Sequence, residues 1–196
     1  MDGAIDAPYL TVNTVQIGHA TFRQVTARLD GHDAAFLASQ VAMRGARGYV
    51  GASLFEGYQV IVDYQRQELT LIPPGNASVS RNVCRGVTVP LLPAPDIGLV
   101  GAVQSNIGDA QFAWDTSAQA SMIIKRRLLT SHVETSKDFV TLKPFSLNGQ
   151  DLGPLEMNIV NFDAPSGLDG IIGDNFFTGH VVCFDFPGKR VLIRQS

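Results

Sequence analysis

The 196-residue chain has no run of about 18 apolar residues, so no membrane-spanning helix is read from it. It has no basic cluster. Its 15 Lys and Arg stand against 18 Asp and Glu, a formal net charge of -3, and nucleic acid is not an expected partner. Cysteine is scarce: Cys84 and Cys183 are too few for a disulfide scaffold or a four-cysteine zinc site. They read either as two small buried apolar residues or as one bridge in an exported protein. The four histidines, His19, His32, His132 and His180, show no ligand spacing and read as surface or turn residues; no metal and no cofactor is expected. The first residues, Met1 to Asp6, have neither a positive n-region nor an apolar h-region. No signal peptide is read there, and export with the leader outside these residues stays open. Asn76-Ala77-Ser78 fits a glycosylation sequon, a match short enough to arise by chance.

Apolar residues make up 45% and charged residues 17%, which excludes a disordered chain. With 19 Gly, 10 Pro and few long helical patterns, a mostly β fold with few short helices is expected.

Self-similarity organises the chain. Gly48, Gly51, Gly57, Asp63 and Tyr64 align at one offset with Gly170, Gly173, Gly179, Asp185 and Phe186. The segment Arg66 to Ile72 then follows Gly188 to Arg194. Upstream, Tyr9 to Val25 pairs with Phe139 to Leu155 at a larger offset, leaving about eight extra residues between Asp30 and Gly48 of the first copy. That stretch contains Asp33 to Met43, expected as a short helix starting at Asp33. Two related lobes in tandem are expected, residues 1–78 and 79–196, joined at the turn-rich Pro73 to Ser78. The first lobe is read as incomplete, because nothing in it matches residues 84 to 138. Strands are expected at Val60 to Tyr64, Glu68 to Ile72, Val181 to Phe186 and Arg190 to Ile193. Ala120 to Leu129 reads as a short helix with one apolar face.

Phe112-Ala113-Trp114-Asp115-Thr116-Ser117-Ala118 runs an apolar strand straight into an acid and two hydroxyl residues. An aspartate ending a buried strand is costly unless it is hydrogen-bonded or protonated. On its own the tripeptide reads as a strand-ending cap and turn. In order, however, the chain carries Asp115-Thr116-Ser117-Ala118, about fifty residues later Leu168-Asp169-Gly170-Ile171-Ile172-Gly173, and then Phe184-Asp185-Phe186. This series resembles the aspartic protease family, above all its retropepsin-like and small bacterial members.

The resemblance implies an aspartic-protease-like β-barrel and peptide-bond hydrolysis by an aspartate-activated water. By resemblance, Asp115 is one catalytic acid, Thr116 braces the turn, and Ser117 replaces the commoner glycine. Ala118, Ile171, Ile172 and Gly173 support the site from behind. The family mechanism needs two aspartates sharing one proton, since two like charges so close cannot both ionise. No second Asp-Thr/Ser-Gly/Ser turn occurs in the chain, and Asp2 and Asp6 have the wrong neighbours. A second aspartate is therefore expected from an upstream segment or a partner subunit. The family's glycine-rich flap is reduced at most to Glu134 to Lys137 or to Leu147-Asn148-Gly149.

The expected partners are a peptide or protein substrate and a second copy of the chain, as a homodimer or a strand-exchanged assembly. The substrate-binding residues are not readable. The alternative is a catalytically inactive protease-like fold acting as a dimerisation or peptide-binding module.

Overall fold

The computed structural model describes residues 9–28, 50–76, 84–94, 98–131, 133–161 and 167–195. The chain forms two compact units, Met1–Leu54 and Phe55–Ser196. It is mostly β, as the composition leads one to expect. The expected helix at Asp33 to Met43 lies outside the described residues, as do His32, His132 and two residues of the sequon, Ala77 and Ser78.

The described part of the first unit is an antiparallel hairpin of β1 (Tyr9–Ile17) and β2 (Ala20–Arg28). Its turn is set by Gly18 at φ +58°, with His19 exposed beside it. Leu10 and Val12 pair with Ala27 and Val25, and Val15 and Ile17 pair with Phe22 and Ala20. The half-buried positions of β1 change parity between Val12 and Val15, beside Gln24 at φ +54°.

The second unit holds two sheets among its described residues. The larger contains β6 (Leu92–Ala94), β7 (Gly98–Ser105), β8 (Gly108–Trp114), β9 (Met122–Ile124), β10 (Phe139–Leu142), β11 (Phe145–Leu147), β12 (Gln150–Asp151), β13 (Leu155–Val160) and β14 (Gly170–Ile172). Their order is β10-β13-β9-β14-β8-β7-β11-β12, with β6 also paired to β7. Two one-turn helices follow strands of this sheet, α1 (Lys125–Leu128) after β9 and α2 (Asp174–Phe177) after β14. Phe112, Ile123, Leu142, Phe145, Leu147, Met157, Ile172, Phe176 and Phe177 are almost wholly buried and form its core.

The smaller sheet has the order β4-β3-β15-β16-β5, from β3 (Gln59–Asp63), β4 (Glu68–Ile72), β5 (Val87–Pro90), β15 (His180–Asp185) and β16 (Arg190–Gln195). The central strand β15 is flanked on both sides, and its residues from Val181 to Asp185 are all buried. That explains why it reads as a continuous apolar run while the edge strand β4 carries exposed Glu68 and Thr70. Strands from both sides of the expected joint, β3–β4 and β5, β15 and β16, share this sheet.

The matched segments make the same local bonds. Asp63 accepts from the Arg66 amide at 3.0 Å, and Asp185 accepts from the Gly188 amide at 3.2 Å. Gln67 and Lys189 both turn at positive φ, 56° and 49°. At the sheet centre Ile61 faces Cys183, and the flanking pairs are Val62 with Val182 and Val60 with Phe184.

Two expectations are corrected. Ala120 to Leu129 is not one helix. Met122–Ile124 is a strand hydrogen-bonded between β13 and β14, and only Lys125–Leu128 is helical, with no buried residue. The vacant slot between two strands outweighs the helical period read over Met122, Ile123, Arg126 and Arg127. His180 is not a simple surface residue either. Its ring stacks on Phe176 at 4.2 Å, and its Nδ1 lies 2.9 Å from the Phe176 carbonyl.

The two readings left open for the cysteines resolve to a bridge. Cys84 and Cys183 form a disulfide with Cα atoms 5.6 Å apart. It is packed among Ile61, Ile72, Val181 and Leu192.

Asp185 is 3% exposed and yet charged. Burial pushes its carboxyl up, but donors from Gln59, Arg190 and Gly188 outweigh it and hold the group below its ordinary value. Arg190 Nε lies 2.7 Å away. A depressed carboxylate adds stability that is full above its unfolded value and is lost as pH falls through the folded one. Denaturant midpoints of the wild type are therefore expected to drop in acid below about pH 4. Asp185→Asn is expected to flatten that acid limb, and an unchanged slope would contradict the assignment.

Candidate active site

The order β9-β14-β8 sets the geometry. β14 runs parallel to β8, with Ile172 beside Trp114, and antiparallel to β9. The chain leaving β8 cannot turn straight into its neighbour. It must cross about 10 Å, over the end of β14, before descending as β9. Residues 115–121 make that crossing.

β14 and the two residues after it hold the arch from below. The Asp115 amide donates to the Ile172 carbonyl at 3.1 Å, and the Asp174 amide donates to the Ala118 carbonyl at 2.9 Å. The Gly173 amide donates to Ser121 Oγ at 3.0 Å. A Cβ at Gly173 would stand 2.5 Å from the Ala120 backbone, so the close crossing requires glycine there. Gly170 is confined in the same way by the Met122 carbonyl and the Phe112 ring.

Asp115 is half-buried, and Thr116 and Ser117 are exposed. Asp115 Oδ1 accepts from the Ser117 amide at 2.8 Å and from the Ser117 hydroxyl at 2.6 Å. The Ala118 amide donates to the Asp115 carbonyl at 3.3 Å, closing the turn. One carboxylate oxygen is thus fixed by the turn itself. Ser117 contributes its hydroxyl as well as its amide to this oxygen. Asp115, Thr116, Ser117, Ala118, Ile171, Ile172 and Gly173, singled out from the sequence, all meet in this one crossing, with Ile171 half-buried beside Val100, Ala113 and Leu168.

Three residues of the site were not legible as such. Ser121 is fully buried, and its amide donates to Asn175 Oδ1 at 2.7 Å. Asn175 Nδ2 donates to the Glu156 carbonyl at 2.7 Å, so one amide side chain ties α2 to β13 and to the arch. Neither Ser121 nor Asn175 belongs to a pattern that marks it in sequence. The third is Tyr64, in the turn after β3, whose hydroxyl donates to the Thr116 carbonyl at 2.7 Å. Burial first, then the Asp174 and Asp115 carboxylates, push its phenol above the ordinary tyrosine value. Its signal was available, because the aligned residue of the other copy is Phe186.

Aromatic rings floor the site. Trp114 meets Phe176 and Phe177 edge-on, with centroids 5.6 and 6.4 Å apart, and Tyr64 stacks on Phe177 at 5.8 Å. The two segments considered as flap remnants lie elsewhere. Asn148 and Gly149 form the tight β11–β12 turn at positive φ. Thr135 bridges Val140 beside β10, at the outer end of the sheet. Among the described residues, no group of three or more His, Cys, Asp or Glu is placed to hold a metal ion, and no helix is long and apolar enough to cross a membrane.

No protein-family model matches the chain, and no curated protein sequence matches it. Among solved structures, the aspartic proteinase from Irpex lacteus is similar over 96% of this chain and 77% of its own, at 12% identity and a TM-score of 0.46. The likeness is distant.

Proposed function

We propose that the chain is an aspartic-type endopeptidase in which Asp115 is one of two catalytic carboxylates. The observation that carries this reading is the arch. An Asp-Thr-Ser turn is hung between β8 and β9 over the end of β14, with one carboxylate oxygen held and the acid half exposed. In the proposed mechanism the ionised member of the pair takes a proton from a bound water, whose oxygen adds to the scissile carbonyl carbon. The protonated member donates to the carbonyl oxygen, and collapse of the diol sends a proton to the leaving nitrogen.

The aligned segments support reading two lobes, 1–78 and 79–196, related by a local two-fold through the Ile61–Cys183 pair. Phe186 on Phe55 at 6.5 Å repeats Tyr64 on Phe177 at 5.8 Å. On that reading each lobe contributes strands to the five-stranded sheet, and the turn facing Asp115 comes from outside residues 1–196. A second copy of the chain or an upstream segment of the same polypeptide supplies it.

Concentration decides between these sources. If a second copy supplies the aspartate, cleavage of an unstructured protein substrate per chain rises with chain concentration, in step with dimer mass by light scattering. A rate independent of concentration, over a range in which light scattering shows the chain to be monomeric, excludes that source. No cleavage by either the chain or an N-terminally extended form overturns the peptidase reading in favour of a peptide-binding module.

A further inference from the structure

We propose that Tyr64 is a positioning residue for the Asp115 turn, acting through the single peptide group that joins Thr116 to Ser117. Its phenol donates to the Thr116 carbonyl at 2.7 Å. The amide of that same peptide group is the Ser117 N–H, which donates to Asp115 Oδ1 at 2.8 Å. The three groups form a chain: phenol to carbonyl, and amide to carboxylate. A donor on the carbonyl oxygen draws electron density through the peptide and makes its N–H a stronger donor. Tyr64 therefore both pins the turn in place and strengthens the bond that orients the Asp115 carboxylate.

Packing alone does not account for the hydroxyl. Tyr64 stacks on Phe177, and in the aligned segment Phe186 stacks on Phe55 without any hydroxyl. Phenylalanine therefore satisfies the stacking role. The hydroxyl adds the bond to Thr116, and it adds it on one side only, which makes the two aligned positions chemically unequal. The turn carrying Tyr64 is itself held, since Gln65 Nε2 donates to the Thr178 carbonyl at 3.3 Å. The charged groups that act on the phenol are Asp174 at the start of α2 and Asp115 on the arch, and both favour its protonated, donating form.

The kinetic part of this inference rests on the peptidase reading; the structural part does not. The test is Tyr64→Phe, which keeps the ring and removes the donor. Two-dimensional NMR is expected to show the Ser117 amide proton moving upfield and exchanging faster, with core amides such as Phe112 and Ile172 unmoved. In the cleavage assay kcat is expected to fall about three- to tenfold with KM unchanged, the loss of one ordinary hydrogen bond from the reacting geometry. An unshifted Ser117 amide overturns the proposal. A shifted amide in a protein that cleaves nothing upholds the positioning role and removes the peptidase reading.

An alkaline titration of the wild type gives a check that needs no variant. The phenolate cannot donate, so the Ser117 amide is expected to move with the same midpoint as the Tyr64 phenolate absorbance, above the ordinary tyrosine range. A Ser117 amide that ignores that transition also overturns the proposal.

Discussion

Asp115→Asn is expected to reduce peptide cleavage by about a hundred- to ten-thousandfold, the usual worth of a positioned acid or base. The substitution is conservative in shape. The asparagine Oδ1 still accepts from the Ser117 amide and hydroxyl, and the Asp115 main-chain bonds to Ile172 and Ala118 are untouched. What disappears is a group that can accept a proton from water and carry it. The variant should therefore melt with the wild type and fail in the assay. Circular dichroism and a fluorogenic peptide measure both. A folded Asp115→Asn protein that cleaves at the wild-type rate would mean that any hydrolysis comes from elsewhere. Because the carboxylate sits at the rim of the arch and not in the apolar floor, loss of fold is not the expected confound.

Removing the Cys84–Cys183 bridge has the largest expected effect on stability. It closes a loop with a sequence separation of 99, and the chain-entropy model gives about 4–5 kcal/mol for a loop of that length. At about 2–4 °C per kcal/mol for a chain of this size, Cys84→Ala with Cys183→Ala should lower Tm by roughly 10 °C or more. The location adds to the effect. Cys183 lies in the central strand β15 opposite Ile61, and the bridge fastens the segment before β5 to it. A thiol reductant applied to the wild type should reproduce the shift. Protein produced in a reducing cytosol should begin in the low-stability form. A double variant melting within about 2 °C of the wild type would show that the apolar cluster around the bridge suffices.

Much of the candidate site is legible in the amino-acid sequence, because its chemistry is local. A buried strand running into Asp-Thr-Ser needs bonding for its acid, and Gly173 was singled out with Ile171 and Ile172 through the family resemblance. Both are visible in one dimension, and the arch joins both. Ser121 and Asn175 were not legible. A serine and an asparagine more than fifty residues apart become partners only when β14 is inserted between β8 and β9. Met122–Ile124 was misread for a related reason. Three apolar residues suit either period, and the two strands waiting on either side decide the outcome.

The amino-acid sequence determined the mostly β class, the aligned segments, the turn at Asp115 and the apolar strand at Val181 to Phe184. Each of these rests on the order of neighbouring residues, and side-chain periodicity and turn chemistry act over a few residues. The tertiary structure decided that Cys84 and Cys183 are joined, that Tyr64 reaches Thr116 across 52 positions, and that strands from both sides of residues 77–83 share one sheet. Those pairings depend on which strand fills which slot. That choice is set by the summed burial and hydrogen bonding of the whole unit, and no short stretch of sequence carries it.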